Sequence, residues 1–307
     1  MKEEEYYKII EKIEKEKRDI QDNKTYRMIC SLKSYWKDFK QRNCGAIVKK
    51  IKDKIAGDFI KRKKYECNNK ICNLTNIIDY KKCKIAIYYV VLGKYDNILE
   101  PFIEFENVDY ILFTDMPMDY RYLENKFIVK EIPNNITKLG NILANRYMKL
   151  HPKEFLYEYD YSIYMDGNVR IISDVRSFIQ KCTRECGIAM HVHRERDCVY
   201  DEAKVCMLLR RGRANELKKQ IEKYRQEGMP RHYGMNEATI IAVNLKNEKA
   251  NVLLKEWWSE LYDSGSMRDQ IAWPYILWKN RLTLNEVGCL GKNIYENYKI
   301  EIVCHQL

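Results

Sequence analysis

The 307-residue chain contains no run of about 18 apolar residues, the length a membrane-spanning helix needs. Its first residues, Met1-Lys2-Glu3-Glu4-Glu5, are acidic and lack the apolar core of an export signal, so the expected location is the cytoplasm. The pattern G-x-x-x-x-G-K-[ST] is missing, and so is G-x-G-x-x-G. These absences argue against a P-loop nucleotide hydrolase and a dinucleotide-binding Rossmann enzyme. Neither a G-x-S-x-G elbow nor an H-E-x-x-H helix occurs. The 11 cysteines are odd in number and irregularly spaced, and Cys67/Cys72 and Cys182/Cys186 do not make C-x-x-C pairs. Free thiols are therefore expected, not disulfides or a zinc knuckle.

What is present is a globular composition, 46% hydrophobic and 12% aromatic, with a formal net charge of +11. That charge is lopsided. Residues 1–84 carry 24 Lys+Arg against 13 Asp+Glu, and after Lys84 the two signs balance at 31 each. The basic stretch divides the chain into residues 1–80, a basic amphipathic helical extension and linker, and residues 81–307, the main domain. In the extension Tyr26, Ile29, Leu32, Tyr35, Trp36 and Phe39 recur at helical spacing among lysines and arginines, and Lys61-Arg62-Lys63-Lys64 closes the run. Residues 1–64 suit an anionic membrane surface at its inner face, where each nearby cation adds about 1 kcal/mol. They suit equally a helical hairpin packed on the main domain or on a second subunit as a homodimer. Nucleic acid is not an expected partner, because nothing beyond charge supports it.

From Lys82 the pattern changes. Residues 84–93, 108–115, 126–132, 159–166, 187–191 and 238–244 read as strands, several of them near-continuous apolar runs. Helices are expected over 141–151, 173–182, 198–226, 247–262 and 269–279. Alternation of strand and helix over about 220 residues predicts an α/β domain with a mostly parallel central sheet flanked by helices. In such sheets ligands bind outside the carboxyl ends of the strands. Polar groups collect at those ends: Gly93-Lys94-Tyr95-Asp96, Asp115, Asp166-Gly167-Asn168 and His191-x-His193.

Asp166-Gly167-Asn168 is the most informative of these. A buried strand ending in a carboxylate, a glycine and an amide delivers two oxygen-bearing side chains to a sheet edge, as a hard cation such as Mn²⁺ or Mg²⁺ prefers. Taken alone the tripeptide reads as a turn, and it is the preceding apolar strand and the rest of the chain that favour a ligand site. Asp115 is placed to accept hydrogen bonds from a ribose or base. Asn145, Arg146 and Lys149 share roughly one helical face, where the cations can hold phosphates. His191 and His193 are either contacts to metal or substrate or hydrogen-bonded structural histidines. Asp201 and Glu202 open a helix and complement its dipole. Glu237 and Asp269 are rival general bases, although Asp269 also reads as an ordinary helix cap. Trp257, Trp258, Trp273 and Trp278 recur at helical spacings and read as core.

The segments Ile87–Asp96, Tyr110–Asp115, Asn145-Arg146-x-x-Lys149, Tyr164–Asn168, His191–Cys198, Tyr233–Glu237 and Arg268-Asp269-Gln270 occur in this order. As a set, across about residues 82–307, they resemble the glycosyltransferase-like domain family first catalogued as a domain of unknown function. Its members occur in plant cell-wall and mucilage proteins and in bacterial surface-polysaccharide clusters. The resemblance implies a GT-A-like (Rossmann-like) fold and transfer of a sugar from a nucleoside-diphosphate sugar to a glycan or lipid-linked acceptor. Asp166-Gly167-Asn168 would be this chain's form of the Asp-x-Asp motif, with an amide replacing the second carboxylate, which weakens the case for metal dependence. Asp166, Asn168 and a late histidine, His305, would be the metal ligands. Val91, Gly93, Tyr95, Asp115, Asn145, Arg146, Lys149 and Asp166 would line the donor. His191, His193, Arg194, Asp197, Asn236 and Arg268 would face the sugar or acceptor. The alternatives are a metal-dependent hydrolase of a glycan or lipid, and a non-catalytic scaffold with a degenerate nucleotide-sugar site.

Overall fold

A computed structural model describes residues 78–291 and 293–303. The basic segment 1–77 and His305 lie outside the described residues, and with them the expectations placed there. Nine strands are described: β1 Ile85–Val91, β2 Val108–Thr114, β3 Ile128–Glu131, β4 Tyr161–Met165, β5 Val169–Ile171, β6 Ile188–Val192, β7 Asn236–Asn244, β8 Gly288–Cys289 and β9 Ile300–Ile302. The described α-helices are α1 Asn134–Thr137, α2 Asn141–Leu150, α3 Pro152–Phe155, α4 Val199–Leu208, α5 Ala214–Gln226, α6 Glu248–Ser264 and α7 Asp269–Lys279.

Seven strands form one sheet in the order β3-β2-β1-β4-β7-β6-β8. β1, β2, β3 and β4 run parallel, while β7 is antiparallel to both its neighbours, β4 and β6. This is the mostly parallel α/β sheet expected from the alternation. β1 reads as an unbroken apolar run because it sits between β2 and β4 with both faces covered, and all seven of its residues are buried. Alternation sends Tyr88 and Val90 into one core with Tyr164, Trp257 and Trp273. Ile87, Tyr89 and Val91 enter the opposite core with Ile163, Met165 and Phe178. The Trp257 and Trp273 rings pack against each other in the first core, tilted by 32° with centroids 4.6 Å apart.

The stretch 198–226 is two helices, not one. The chain turns at Arg210 and Gly212, whose φ values of 54° and 87° are left-handed. A side chain at Gly212 would come within 2.7 Å of the Ser266 carbonyl oxygen, so the α4–α5 corner needs a glycine there. Residues 173–182 contain only a 3₁₀ turn, Arg176–Lys181. Pro152 does end α2, and it also opens α3. β5 and β9 form a separate two-stranded ribbon, which brings the chain near the C-terminus back beside Asn168.

Candidate active site

The carboxyl ends of β1, β2, β4 and β6 and the amino end of β7 meet along one sheet edge, because β7 runs against its neighbours. The Asp166 amide bonds to the Thr239 carbonyl, so the Asp-Gly-Asn corner leaves β4 directly beside β7. The corner is tight. A Cβ on Gly167 would lie 2.7 Å from Asp96 Oδ2 and 2.8 Å from Asp96 Cβ, and only glycine fits that approach. Asp96 was one of the strand-end residues, but sequence spacing carries no sign that it packs on this turn.

Asp166 is half-exposed and accepts a 2.8 Å bond from the Tyr164 hydroxyl. Lys149 Nζ lies 3.9 Å from its Oδ1. Lys149 is itself buried and donates at 2.8 Å to Asp269 Oδ2, which also has Arg146 Nε at 3.1 Å. Arg146 Nη1 donates to Asn145 Oδ1 at 2.6 Å, and Asn145 Nδ2 donates to the Val90 carbonyl at the end of β1. Two cations and two carboxylates thus run in a continuous chain along the edge. Burial alone would raise the Asp269 carboxyl, but Arg146 and Lys149 outweigh it and hold the group below the usual carboxylate range.

At the β1 end, the Gly93 amide donates to Asp115 at 3.1 and 3.2 Å. Gly93 has φ 62°, and a Cβ there would meet Asn141 Nδ2 at 2.5 Å. Val91 is buried in the strand, and Tyr95 is exposed above it. On the far side, Asn168 Nδ2 donates to the Val303 carbonyl at 3.1 Å, and the Val303 amide returns a bond to the Asn168 carbonyl. Asn168 Oδ1 is buried with no hydrogen-bond partner. An orphaned amide oxygen beside an ionisable carboxylate is a donor set that fits a hard divalent cation.

The second half of the edge is built from β6 and β7. His191 is fully buried, with Asn297 Nδ2 2.8 Å from its Nε2, and burial pulls its pKa down to about 3. His193 Nδ1 accepts from the Glu195 and Arg196 amides at 3.2 and 3.0 Å, and burial lowers its pKa to about 4. Both rings are therefore neutral at pH 7, and both are held inside the protein. Asn236 is likewise turned inward: its Oδ1 accepts from Trp273 Nε1 and its Nδ2 donates to the His191 carbonyl. Glu202, read from sequence as a dipole partner only, is a buried hub that holds Arg196, Cys206 Sγ and the His193 ring. Asp197 is buried and bonds His232 Nδ1 at 2.7 Å. Arg268 runs beside Gly212 and carries a buried Nε without a hydrogen-bond partner.

Glu237 differs from Asp269. Its Oε2 is buried without a hydrogen-bond partner, and burial pushes its pKa up to about 7 despite a bond from the Arg194 backbone. Arg194 is exposed and lies over the Tyr295 ring at 5.0 Å, forming the outer lip beside Glu237. Tyr295 was not singled out from the sequence. It stands on a 3₁₀ turn capped by Asn293, whose Oδ1 accepts from the Tyr295 and Glu296 amides. The Asn293-x-Tyr295 spacing is the one local signal for it.

Fold and edge together define an α/β protein with a polar, charge-paired array of side chains at a sheet's carboxyl end, where such sheets bind their ligands. The chain belongs to the TOD1/MUCI70 glycosyltransferase-like domain family, whose model matches residues 13–300. The match begins upstream of the motifs and takes in most of the basic segment. No curated protein sequence matches the chain. Among solved structures, the apo form of mouse xyloside xylosyltransferase 1 aligns with a TM-score of 0.45 at 11% identity, covering 70% of this chain and 96% of that one. The galactosyltransferase LgtC in complex with donor and acceptor sugar analogues aligns with a TM-score of 0.40 at 10% identity, covering 71% and 87%. The apo WbbM bifunctional glycosyltransferase aligns with a TM-score of 0.41 at 11% identity, covering 70% of this chain and 40% of that one. These likenesses are distant, and family membership does not lean on them.

Proposed function

We propose that this chain transfers a sugar from a nucleoside-diphosphate sugar to a hydroxyl of a glycan or lipid-linked acceptor in surface-polysaccharide assembly. The observation that carries the reading is the ion chain Asp166–Lys149–Asp269–Arg146 at the carboxyl edge, next to the orphaned Oδ1 of Asn168. Asp166 and Asn168 would hold a divalent cation, Mn²⁺ or Mg²⁺, which when bound neutralises charge on a diphosphate. Arg146, about one-fifth exposed, turns toward the leaving phosphates while Asp269 fixes its orientation. Gly93 and Asp115 form the rim for the nucleoside.

Glu237 is the group suited to take the proton of the acceptor hydroxyl. A base titrating near 7 is half-ionised at neutral pH and still basic enough to accept a proton. Asp269 is fully ionised and already paired, so it serves as a positioning residue. A base of this kind suits transfer by direct displacement, with inversion at the anomeric carbon. The basic segment 1–64 would keep the enzyme against the inner face of an anionic membrane, where lipid-linked acceptors reside.

The test is a thermal-shift screen of UDP-, GDP-, CMP- and dTDP-sugars with Mn²⁺ on the full chain and on Asp166→Ala, followed by assay of donor hydrolysis. One nucleotide class should stabilise the wild type and not the variant. No stabilisation and no slow hydrolysis with any donor would refute the proposal.

A further inference from the structure

Sharing no residue with the Asp166 corner, a second group of ligand-bearing side chains comes together where β6 leads into α4. Cys198 Sγ, an Asp201 carboxylate oxygen and an imidazole nitrogen of His232 lie within 4.8 Å of one another. Cys198 is the N-cap residue of α4, and Asp201 follows three residues later, so one helical turn stacks thiol and carboxylate. His232 comes from the loop before β7, which the chain reaches only after α4 and α5. Asp197 holds His232 Nδ1 at 2.7 Å, so a metal would be bound through Nε2. A carboxylate fixing the far nitrogen of an imidazole is the usual support behind a metal-bound histidine.

We infer that Cys198, Asp201 and His232 form a zinc site that ties the start of α4 to the loop entering β7, with Asp197 orienting the histidine. In a tetrahedral zinc site, ligand atoms are roughly 3.3–3.6 Å apart. Side-chain rotation of about an ångström closes the observed triangle to that size. A set that includes a thiolate sulfur selects zinc over manganese or magnesium, which prefer oxygen-rich shells. Three protein ligands leave the fourth position to water. Binding replaces the Cys198 thiol proton, which leaves to solvent. Arg231 donates to both Asp201 oxygens at 2.9 Å, and the carboxylate retains lone pairs for the metal beside it. The site shares no ligand with the Asp166–Asn168 corner and does not depend on the nature of the sugar donor. Its consequence for the fold is a clamp on the loop that leads into Glu237.

The experiment is equilibrium dialysis of the reduced full-length chain against Zn²⁺, with metal per chain measured by atomic spectroscopy, and parallel loading with Co²⁺. His232→Ala alters an exposed side chain and should retain the fold. It should bind one zinc fewer per chain than its parent, in the wild-type and in the Asp166→Ala background alike. Asp197→Asn should weaken zinc affinity about 10- to 100-fold. Co²⁺ should give a thiolate-to-cobalt charge-transfer band that Cys198→Ser weakens by one site's intensity. Equal zinc content in wild type and His232→Ala, or a band of unchanged intensity in Cys198→Ser, would overturn the assignment. Because the comparison is a difference between variants, zinc held by cysteines elsewhere in the chain cancels.

Discussion

The Lys149 ammonium meets the Asp269 carboxylate at 2.8 Å across 120 residues of sequence, with both side chains buried. This pair locks α2 to the start of α7. It also decides what Asp269 can do: a carboxylate held by Lys149 and Arg146 supports its neighbours' positions and has little tendency to take a proton.

Removing Asp269 leaves buried Lys149 with only Asp166 at 3.9 Å and deprives Arg146 of its carboxylate. Asp269→Ala should destabilise the fold by about 3–5 kcal/mol, read by urea denaturation, whereas the double variant Lys149→Met/Asp269→Leu should recover much of that loss. The folded pKa of Asp269 is below its unfolded value, so its contribution is complete above about pH 4 and is lost as pH falls through the folded value. Wild type should therefore lose stability below pH 4 more steeply than the double variant. Parallel acid profiles would remove the ion pair from the account.

Glu237 gives the opposite sign. Its folded pKa of about 7 is above the ordinary 4.5, so the folded state holds a proton that the unfolded state has released between those values. Stability should fall as pH rises from 4.5 to 7, and Glu237→Gln should flatten that slope. For transfer, kcat should rise with pH to a plateau above about 7. Glu237→Gln should lower it by about 10²- to 10⁴-fold and leave donor binding intact. An unchanged kcat in the variant would return the choice of base to another group.

The Asp166–Gly167 corner makes a paired prediction. Asp166→Ala should abolish stabilisation by the donor, which for ligand at 100 times its Kd is about 2.7 kcal/mol. Chelation of divalent metal should reduce the same stabilisation in wild type. Gly167→Ala forces a Cβ against Asp96 and should cost about 1–3 kcal/mol of stability, partly regained in Gly167→Ala/Asp96→Gly. Calorimetry with and without donor separates the two effects.

The basic segment can be tested by truncation. Deleting residues 1–64 should abolish binding to vesicles containing anionic lipid while sparing donor hydrolysis. Vesicle binding by wild type should weaken with salt, because it rests on screened charge. Loss of a soluble dimer with no change in vesicle binding would assign the segment to subunit contact.

Much of the architecture was legible in the chain itself. Buried strands declare themselves by unbroken apolar runs such as Ile85–Val91, and α2 ends where Pro152 makes it end. The corner at Asp166-Gly167-Asn168 could be located because three polar, turn-forming residues follow a buried strand. The two-helix break at Gly212 is not legible locally, since the close approach of the Ser266 carbonyl that requires it comes from a distant part of the chain.

Local pattern thus determined which residues form strands, which faces they bury and which polar groups stand at strand ends, because side-chain periodicity is a property of neighbours in sequence. Tertiary packing decided the chemistry assigned to those groups. It paired Asp269 with Lys149 and left Glu237 Oε2 buried without a partner. It turned Asn236 inward onto Trp273 and drew His232 to Cys198 and Asp201. The physical reason is that proton affinity and ligand geometry depend on burial and on charges within a few ångströms, and those neighbours are supplied by segments tens to more than a hundred residues away.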